Sequence, residues 1–285
     1  MPFFLSRGGK NVIAEVQRWQ HFLLTQAINQ VGAIDGDFGQ NSELGTKFFQ
    51  VSAGVTATGK LDEKTLQAAV ARGYGVVPDD YYTSRAGDGF PKKPAKLNSP
   101  SDDSRATDFG CFRFLQLAMR PDAEAIVIKG SCDGSVADWT AANIVQIPVP
   151  QLRFAVGFRG TVRCHAKAAP VMQALFAQWE KDNLLHLIRS YEGCFVPRYK
   201  RKQASPMGVG HGLKQSSEVT ALSNHSFGSA FDINFPDNQL GVVPAFCGER
   251  GSVRELVASA NAVGVYWGGH FGNRDGMHFE ISKLG

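Results

Sequence analysis

Residues 76–107, VVPDDYYTSRAGDGFPKKPAKLNSPSDDSRAT, break the hydrophobic patterns on either side of them. The stretch is rich in Pro, Asp, Ser and Lys and keeps no sustained period, so it reads as a linker. Its Tyr81, Tyr82 and Phe90 are the side chains able to dock on a neighbour. A break of this kind divides the 285 residues into a short module, 1–75, and a long one, 108–285. The long module is large enough to close its own core.

The short module has helical spacing. VIAEVQRWQHFLL (12–24) places Val12, Val16, Trp19 and Leu23 on one face. IDGDFG (34–39) supplies a Gly-rich turn, and NSELGTKFFQVSAGV (41–55) a second helical stretch. In VTATGKLDEKTLQAAVARG (55–73), Thr58-Gly59 reads as a turn, Asp62 as a cap and Gly73 as a stop. The expectation is a small three-helix bundle.

The long module mixes periods. AEAIVIKG (123–130), NIVQIPVPQL (143–152) and the closing GMHFEI (276–281) read as strands. Residues 165–185 form an amphipathic helix with Val171, Leu175 and Trp179 in line. SVRELVASANAVG (252–264) reads as another, capped by Ser252 and stopped by Gly264. Helices and strands without a βαβ rhythm make the fold class α+β.

Net charge is +4 with both signs spread along the chain, and no basic stripe marks a nucleic-acid partner. No apolar run is long enough to span a bilayer. The start, MPFFLSRGGKN, lacks the basic lead and long apolar stretch of a secretory signal, so the expectation is cytoplasmic synthesis and delivery by another route. Cysteines 111, 132, 164, 194 and 247 stand apart without a CxxC pair, and the expectation is reduced, partly buried thiols.

The chemistry lies in two short runs. SNHSFGSAFD (223–232) and DGMHFE (275–280) together offer His225, Asp232 and His278. Two imidazoles and a carboxylate suit zinc and leave a fourth position for water, as catalytic sites do. Asp275, three residues before His278, is placed to take a proton from a water whose pKa zinc lowers toward ~7. Hydrolysis of an amide also needs a partner for the oxyanion, and Arg198 in GCFVPRYKRKQ (193–203) is the candidate. Arg201 and Lys202 read as solvated charges. Glu280, in step with His278 on a strand, either orients that ligand or is structural. His21, His165, His186 and His211 take the default of core or surface residues, and His270 lies in or beside the cleft. Gly228 and Ala230 are explained by close packing.

SNHSFGSAFD fits the S-x-H-x-x-G-x-A-x-D pattern of M15 zinc peptidases, WGGHFGNRDGMHFE (267–280) fits their closing motif, and GCFVPR fits their arginine motif. The resemblance covers roughly residues 150–285. It implies a small antiparallel sheet flanked by helices, with one zinc ion on His225, Asp232 and His278, Asp275 as general base and Arg198 polarising the scissile carbonyl. It also implies that Ser223 lies beside the substrate and Trp267 on the cleft wall. VQRWQ, DGDFG, FFQ and TGKLDEKT resemble peptidoglycan-binding domains of the PG_binding_1 type. Together these imply a monomeric, phage endolysin-like enzyme that acts on bacterial peptidoglycan after holin-dependent release. The expected cut is between L-Ala and D-Glu of the stem peptide. A D,D-carboxypeptidase or D,D-endopeptidase, a catalytically silent zinc-fold binding protein and a thiol hydrolase are the competing readings.

Overall fold

The computed structural model describes residues 3–77, 89–100, 102–116, 125–201, 213–219 and 221–284. Three helices come first: α1 (Ile13–Thr25), α2 (Gln40–Ser52) and α3 (Glu63–Val70). Val16, Trp19, Leu23, Phe49 and Leu61 close their core. Two buried glutamines tie the helices to the turns. Gln20 donates to Asp35 Oδ1 (2.7 Å) and accepts from the Gly36 amide (2.9 Å). Gln50 donates to the Lys60 carbonyl (2.9 Å) and accepts from the Gly59 amide (2.8 Å). Each glutamine thus satisfies turn backbone that burial would otherwise strand. Asp62 caps α3 by accepting from the Thr65 amide at 2.9 Å.

The other face of α1 packs on the long module. Ala14 joins the large core, Arg18 donates to the Asn183 carbonyl (3.2 Å), and His21 meets the Phe154 ring edge-on at 5.5 Å. Arg18 also holds a buried ion pair with Glu15 at 3.1 Å. A pair of this kind costs desolvation and contributes fixed geometry. The bundle is therefore docked directly on its neighbour.

The long module runs in the order α4 (Asp102–Phe109), β1 (Phe112–Gln116), β2 (Ile126–Ser131), α5 (Trp139–Asn143), β3 (Ile144–Pro148) and β4 (Thr161–His165). Then follow α6 (Ala169–Lys181), β5 (Tyr191–Gly193), β6 (Lys214–Gln215), β7 (Ala230–Ile233), α7 (Val257–Ala262), β8 (Val265–Trp267) and β9 (His278–Ile281). The sheets, ordered β2-β1-β6, β3-β4 and β5-β7-β9-β8, are antiparallel throughout. Helix α6 lays Phe176 and Trp179 on Phe231 of β7, and Trp179 on Phe279 of β9, with ring centroids 5.6–6.1 Å apart. This is the expected α+β class, and the aromatic layer fixes the strands that carry the site. No helix among the described residues is long and apolar enough to cross a membrane.

Several details differ from the sequence reading. The helix expected over 252–264 is a 3-10 turn (Arg254–Leu256) leading into the shorter α7, and 150–152 is a 3-10 turn after β3. Residues 102–109 are helical, and the Arg105 guanidinium is buried against the Leu222 carbonyl and Asn224 Oδ1. Phe90 packs on Trp267 with centroids 5.2 Å apart. Tyr81, Tyr82, Lys202 and His211 lie outside the described residues. Cys111 and Cys132 are joined in a disulfide rather than reduced, with Cα atoms 5.4 Å apart. The register explains it: Phe112 pairs with Ser131, so the next residues outward face each other. Cys164, Cys194 and Cys247 are buried and outside the disulfide.

His165 and His186 are both core residues. His165 donates from Nε2 to the Phe109 carbonyl (2.9 Å) and accepts at Nδ1 from the Lys167 amide (3.0 Å). Burial holds its pKa down at about 4. Burial, with the charges of Arg18 and His21, holds His186 low as well. A depressed histidine contributes stability that is full above the unfolded value near 6.5 and is lost as pH falls through the folded one. Melting temperatures are therefore expected to drop between about pH 6.5 and pH 4. A flat thermal-melt profile across that window would contradict this account.

Candidate metal centre and cleft

The centre is built on the β7–β9 ladder, where Asp232 and His278 are directly paired across the strands. His225 comes from the 3-10 turn Asn224–Phe227 just before β7. That turn ends at Gly228 in the left-handed region (φ 65°), and a Cβ there would lie 2.7 Å from the His165 amide nitrogen. Glycine is required both for the backbone and for the approach of β4. The turn thereby swings His225 over the strand.

His225 Nε2 lies 3.2 Å from Asp232 Oδ1 and 3.2 Å from His278 Nδ1, and His278 Nδ1 lies 3.0 Å from Asp232 Oδ1. All three residues are buried. The far nitrogens fix the tautomers. His225 Nδ1 donates to the Cys194 carbonyl at 3.0 Å, and His278 Nε2 to Glu280 Oε2 at 3.1 Å. A carbonyl and a carboxylate can only accept, so both inner nitrogens present lone pairs toward the Asp232 oxygen. Three converging lone pairs in a buried space repel unless a proton on one ring or a metal cation sits among them. The donor set fits zinc, the charge-bearing groups are in place, and ring orientation is set from behind. Burial opposes ionisation of Asp232, but the two histidines outweigh it and hold its carboxyl well below the usual range.

Asp275 sits on the turn between β8 and β9. Its amide donates to the Gly268 carbonyl (3.0 Å), and its own carbonyl accepts from the His278 amide (3.1 Å). A Cβ on Gly268 would lie 2.6 Å from the Asp275 carbonyl oxygen, so glycine lets this turn close. Asp275 Oδ1 is buried with no hydrogen-bond partner among the described residues. Burial raises the Asp275 pKa; the Asp232 charge adds to this, while His278, His225 and Arg198 oppose it. A carboxylate of raised basicity, outside the ligand trio but beside it, is suited to moving a proton.

A cleft of about 360 Å³ opens over the centre, lined by Arg198, Ser223, Asp275 and His278 among others. Arg198 is anchored through its backbone: its amide donates to Ser226 Oγ (2.8 Å) and its carbonyl accepts from the same hydroxyl (2.7 Å). Ser223 lines the cleft and caps the His225 turn, its Oγ accepting from the His225 amide at 3.4 Å. Trp267 is a correction. It is fully buried and does not line the cleft, because its Nε1 donates to the Gly276 carbonyl (2.8 Å) and its ring is covered by Phe90. Its part is to brace the Asp275 turn. Arg201, read as a solvated charge, also lines the cleft. His270 stands off it and is hydrogen-bonded to the Pro91 carbonyl at 2.7 Å.

Three supporting groups have no signal in the sequence motifs: the Cys194 carbonyl behind His225, Asn224, whose Nδ2 donates to Glu280, and Arg105, which holds Asn224. Glu280 itself is hydrogen-bonded to His278. Glu280→Gln is expected to weaken zinc binding about 10–100-fold. Titration against a competing chelator measures it, and unchanged affinity would leave Glu280 a structural residue only.

A buried His-Asp-His group that could hold a metal, with a carboxylate and an arginine nearby in the cleft lining, has the donor set of a metallopeptidase. The comparisons agree at the level of family. Residues 217–281 match the M15 peptidase family described as D-alanyl-D-alanine carboxypeptidase. Residues 11–69 match the family described as a peptidoglycan binding domain. Residues 217–281 thus resemble M15 peptidases and residues 11–69 resemble peptidoglycan-binding domains, and the two matches support a peptidase that acts on peptidoglycan. The peptidase match includes His225, Asp232, Asp275 and His278 but begins after Arg198. No curated protein and no solved structure matches the chain.

Proposed function

We propose that the protein is a zinc-dependent endopeptidase that cuts peptidoglycan stem peptides between L-Ala and D-Glu, in the manner of a phage endolysin. The convergence of His225, Asp232 and His278, with His278 and the neighbouring Asp275 lining the cleft, carries this reading. His225, Asp232 and His278 would hold the ion. A zinc ion there supplies a Lewis acid that brings the pKa of water toward ~7. Asp275 takes the proton of the attacking water at its carboxylate and returns it to the leaving amine. Arg198 donates to the scissile carbonyl oxygen as negative charge develops on it. The N-terminal bundle holds the enzyme on insoluble wall polymer, which raises the local concentration of cleavable peptides. The Cys111–Cys132 disulfide suits work outside a reducing cytoplasm. The module boundaries that go with this reading are 1–75, 76–107 and 108–285, with the enzyme acting as a monomer.

Mass spectrometry of purified peptidoglycan after digestion tests the bond. New amino termini at D-Glu support the reading. The description of the matched family favours a second one, a D,D-carboxypeptidase or D,D-endopeptidase. Release of D-Ala without new D-Glu termini would replace the first reading with the second. No cleavage with zinc present would leave only a wall-binding role.

A further inference from the structure

Arg105 is a buried cation on α4, in the stretch between the two modules, and it lies outside the residues that match the peptidase family. Burying a guanidinium is costly unless hydrogen bonds meet it. Here one short segment supplies them. Nη1 donates to the Leu222 carbonyl and, at 2.7 Å, to Asn224 Oδ1. The guanidinium also lies over the Phe227 ring, 5.3 Å from its centroid. Arg105 therefore grips the 3-10 turn that presents His225 from both ends.

The contact at Asn224 reaches further. A guanidinium only donates, so it takes the oxygen end of the Asn224 amide and turns the nitrogen end away. That nitrogen donates to Glu280 Oε2, which also accepts from His278 Nε2 at 3.1 Å. Arg105, Asn224 and Glu280 are all buried, and buried hydrogen bonds of this kind polarise and fix one another. The relay Arg105–Asn224–Glu280–His278 joins α4, the 3-10 turn and β9, and every link is a donor meeting an acceptor.

We propose that Arg105 is a positioning residue for the metal site: by fixing the Asn224 amide it holds Glu280, and through Glu280 the ring of His278, in the orientation that binds zinc. This rests on the metal reading above. Arg105 is neither in the group that could hold the ion nor in the cleft lining, so its effect on the ion passes through the residues it holds. The stretch between the modules then supplies part of the peptidase site and is more than a tether. Side chains directly behind a metal ligand set affinity by about 10–100-fold, and Arg105 stands two links behind His278, so the low end of that range applies.

The test titrates zinc into the full chain against a competing chelator and records the melting temperature of the metal-free protein in parallel. Arg105→Met is expected to weaken zinc binding about tenfold. In a Glu280→Gln background, where the relay is already cut, the same substitution is expected to cost little more, because residues of one network do not add. Arg105→Lys keeps the charge and a donor and is expected to recover part of the loss. Should Arg105→Met fail to fold, Asn224→Ala takes its place. It removes the middle of the relay and leaves room for water, and the same tenfold loss is expected alone and little further loss beside Glu280→Gln. A melting temperature that falls while zinc affinity holds would make Arg105 a structural residue and overturn the assignment. A loss that is undiminished in the Glu280→Gln background would overturn it too, because the effect would not run through Glu280. Both results leave the metal reading intact. A wild-type chain that takes up no zinc would overturn both.

Discussion

Asp275→Ala is expected to lower kcat by about 10²–10⁴-fold while the protein still takes up zinc. The group that could hold a metal comprises His225, Asp232 and His278, and Asp275 is not part of it. Its Oδ1 is nonetheless buried and unpartnered among the described residues, at a turn whose backbone is closed on Gly268 and His278. A carboxylate oxygen held there without a hydrogen bond costs free energy, which fits a group that acts on a substrate or water. Burial, assisted by Asp232, raises its pKa. The acid limb of kcat/KM in the wild type is accordingly expected above the ordinary carboxylate range, since the base works only when ionised. In the alanine variant that limb should vanish with the activity. Peptide release measured by mass spectrometry, alongside zinc content by atomic emission, separates the roles. Full activity would remove Asp275 from the proton path, and loss of zinc together with activity would make it a ligand.

How far the sequence disclosed this arrangement depends on how local each cause is. Asp62 and Gly73 mark the third helix because capping and left-handed backbone are decided within a few residues. The grouping of His225, Asp232 and His278 was legible for a related reason. His225 and Asp232 sit on one turn-strand unit, and His278 lies on the strand paired with it. What stayed hidden depends on contacts distant in sequence. The Cys111–Cys132 bond follows from the β1–β2 register, which isolated thiols do not announce. Helix α4 carries almost no apolar period in DDSRATDF, and Arg105 reaches from it to Leu222 and Asn224, residues over a hundred positions away. The Cys194 carbonyl behind His225 is main chain, so no residue type could advertise it. Trp267 shows the opposite error: a motif position suggested a wall, whereas the indole is consumed by the Gly276 carbonyl and Phe90. Arg201 was taken for a solvated charge because its neighbours are charged, and only the pairing of 198–200 with 221–223 reveals that this segment borders the cleft.

His225→Ala is expected to abolish both zinc uptake and cleavage, and to make the melting temperature insensitive to zinc and to chelator. In the wild type, a ligand that binds only the folded state stabilises it by about 4 kcal/mol at a free concentration a thousandfold above its dissociation constant. Chelation should therefore lower the wild-type melting temperature and stop the reaction together. The size of that drop should depend on pH in a definite sense. Without the ion, a proton on His278 relieves the convergence of charge: burial opposes it, but hydrogen bonds to Asp232 and Glu280 prevail and hold the ring at about 10. A raised histidine contributes stability that is full below the unfolded value near 6.5 and lost as pH climbs through the folded one. The metal-free protein should thus weaken from about pH 6.5 toward pH 10, while zinc, which needs that nitrogen deprotonated, binds more tightly over the same span. The gap between holo and chelated melting temperatures is expected to widen with pH. A gap that narrows instead would mean that the two imidazoles do not face a cation, and would remove the metal centre on which the hydrolytic reading depends.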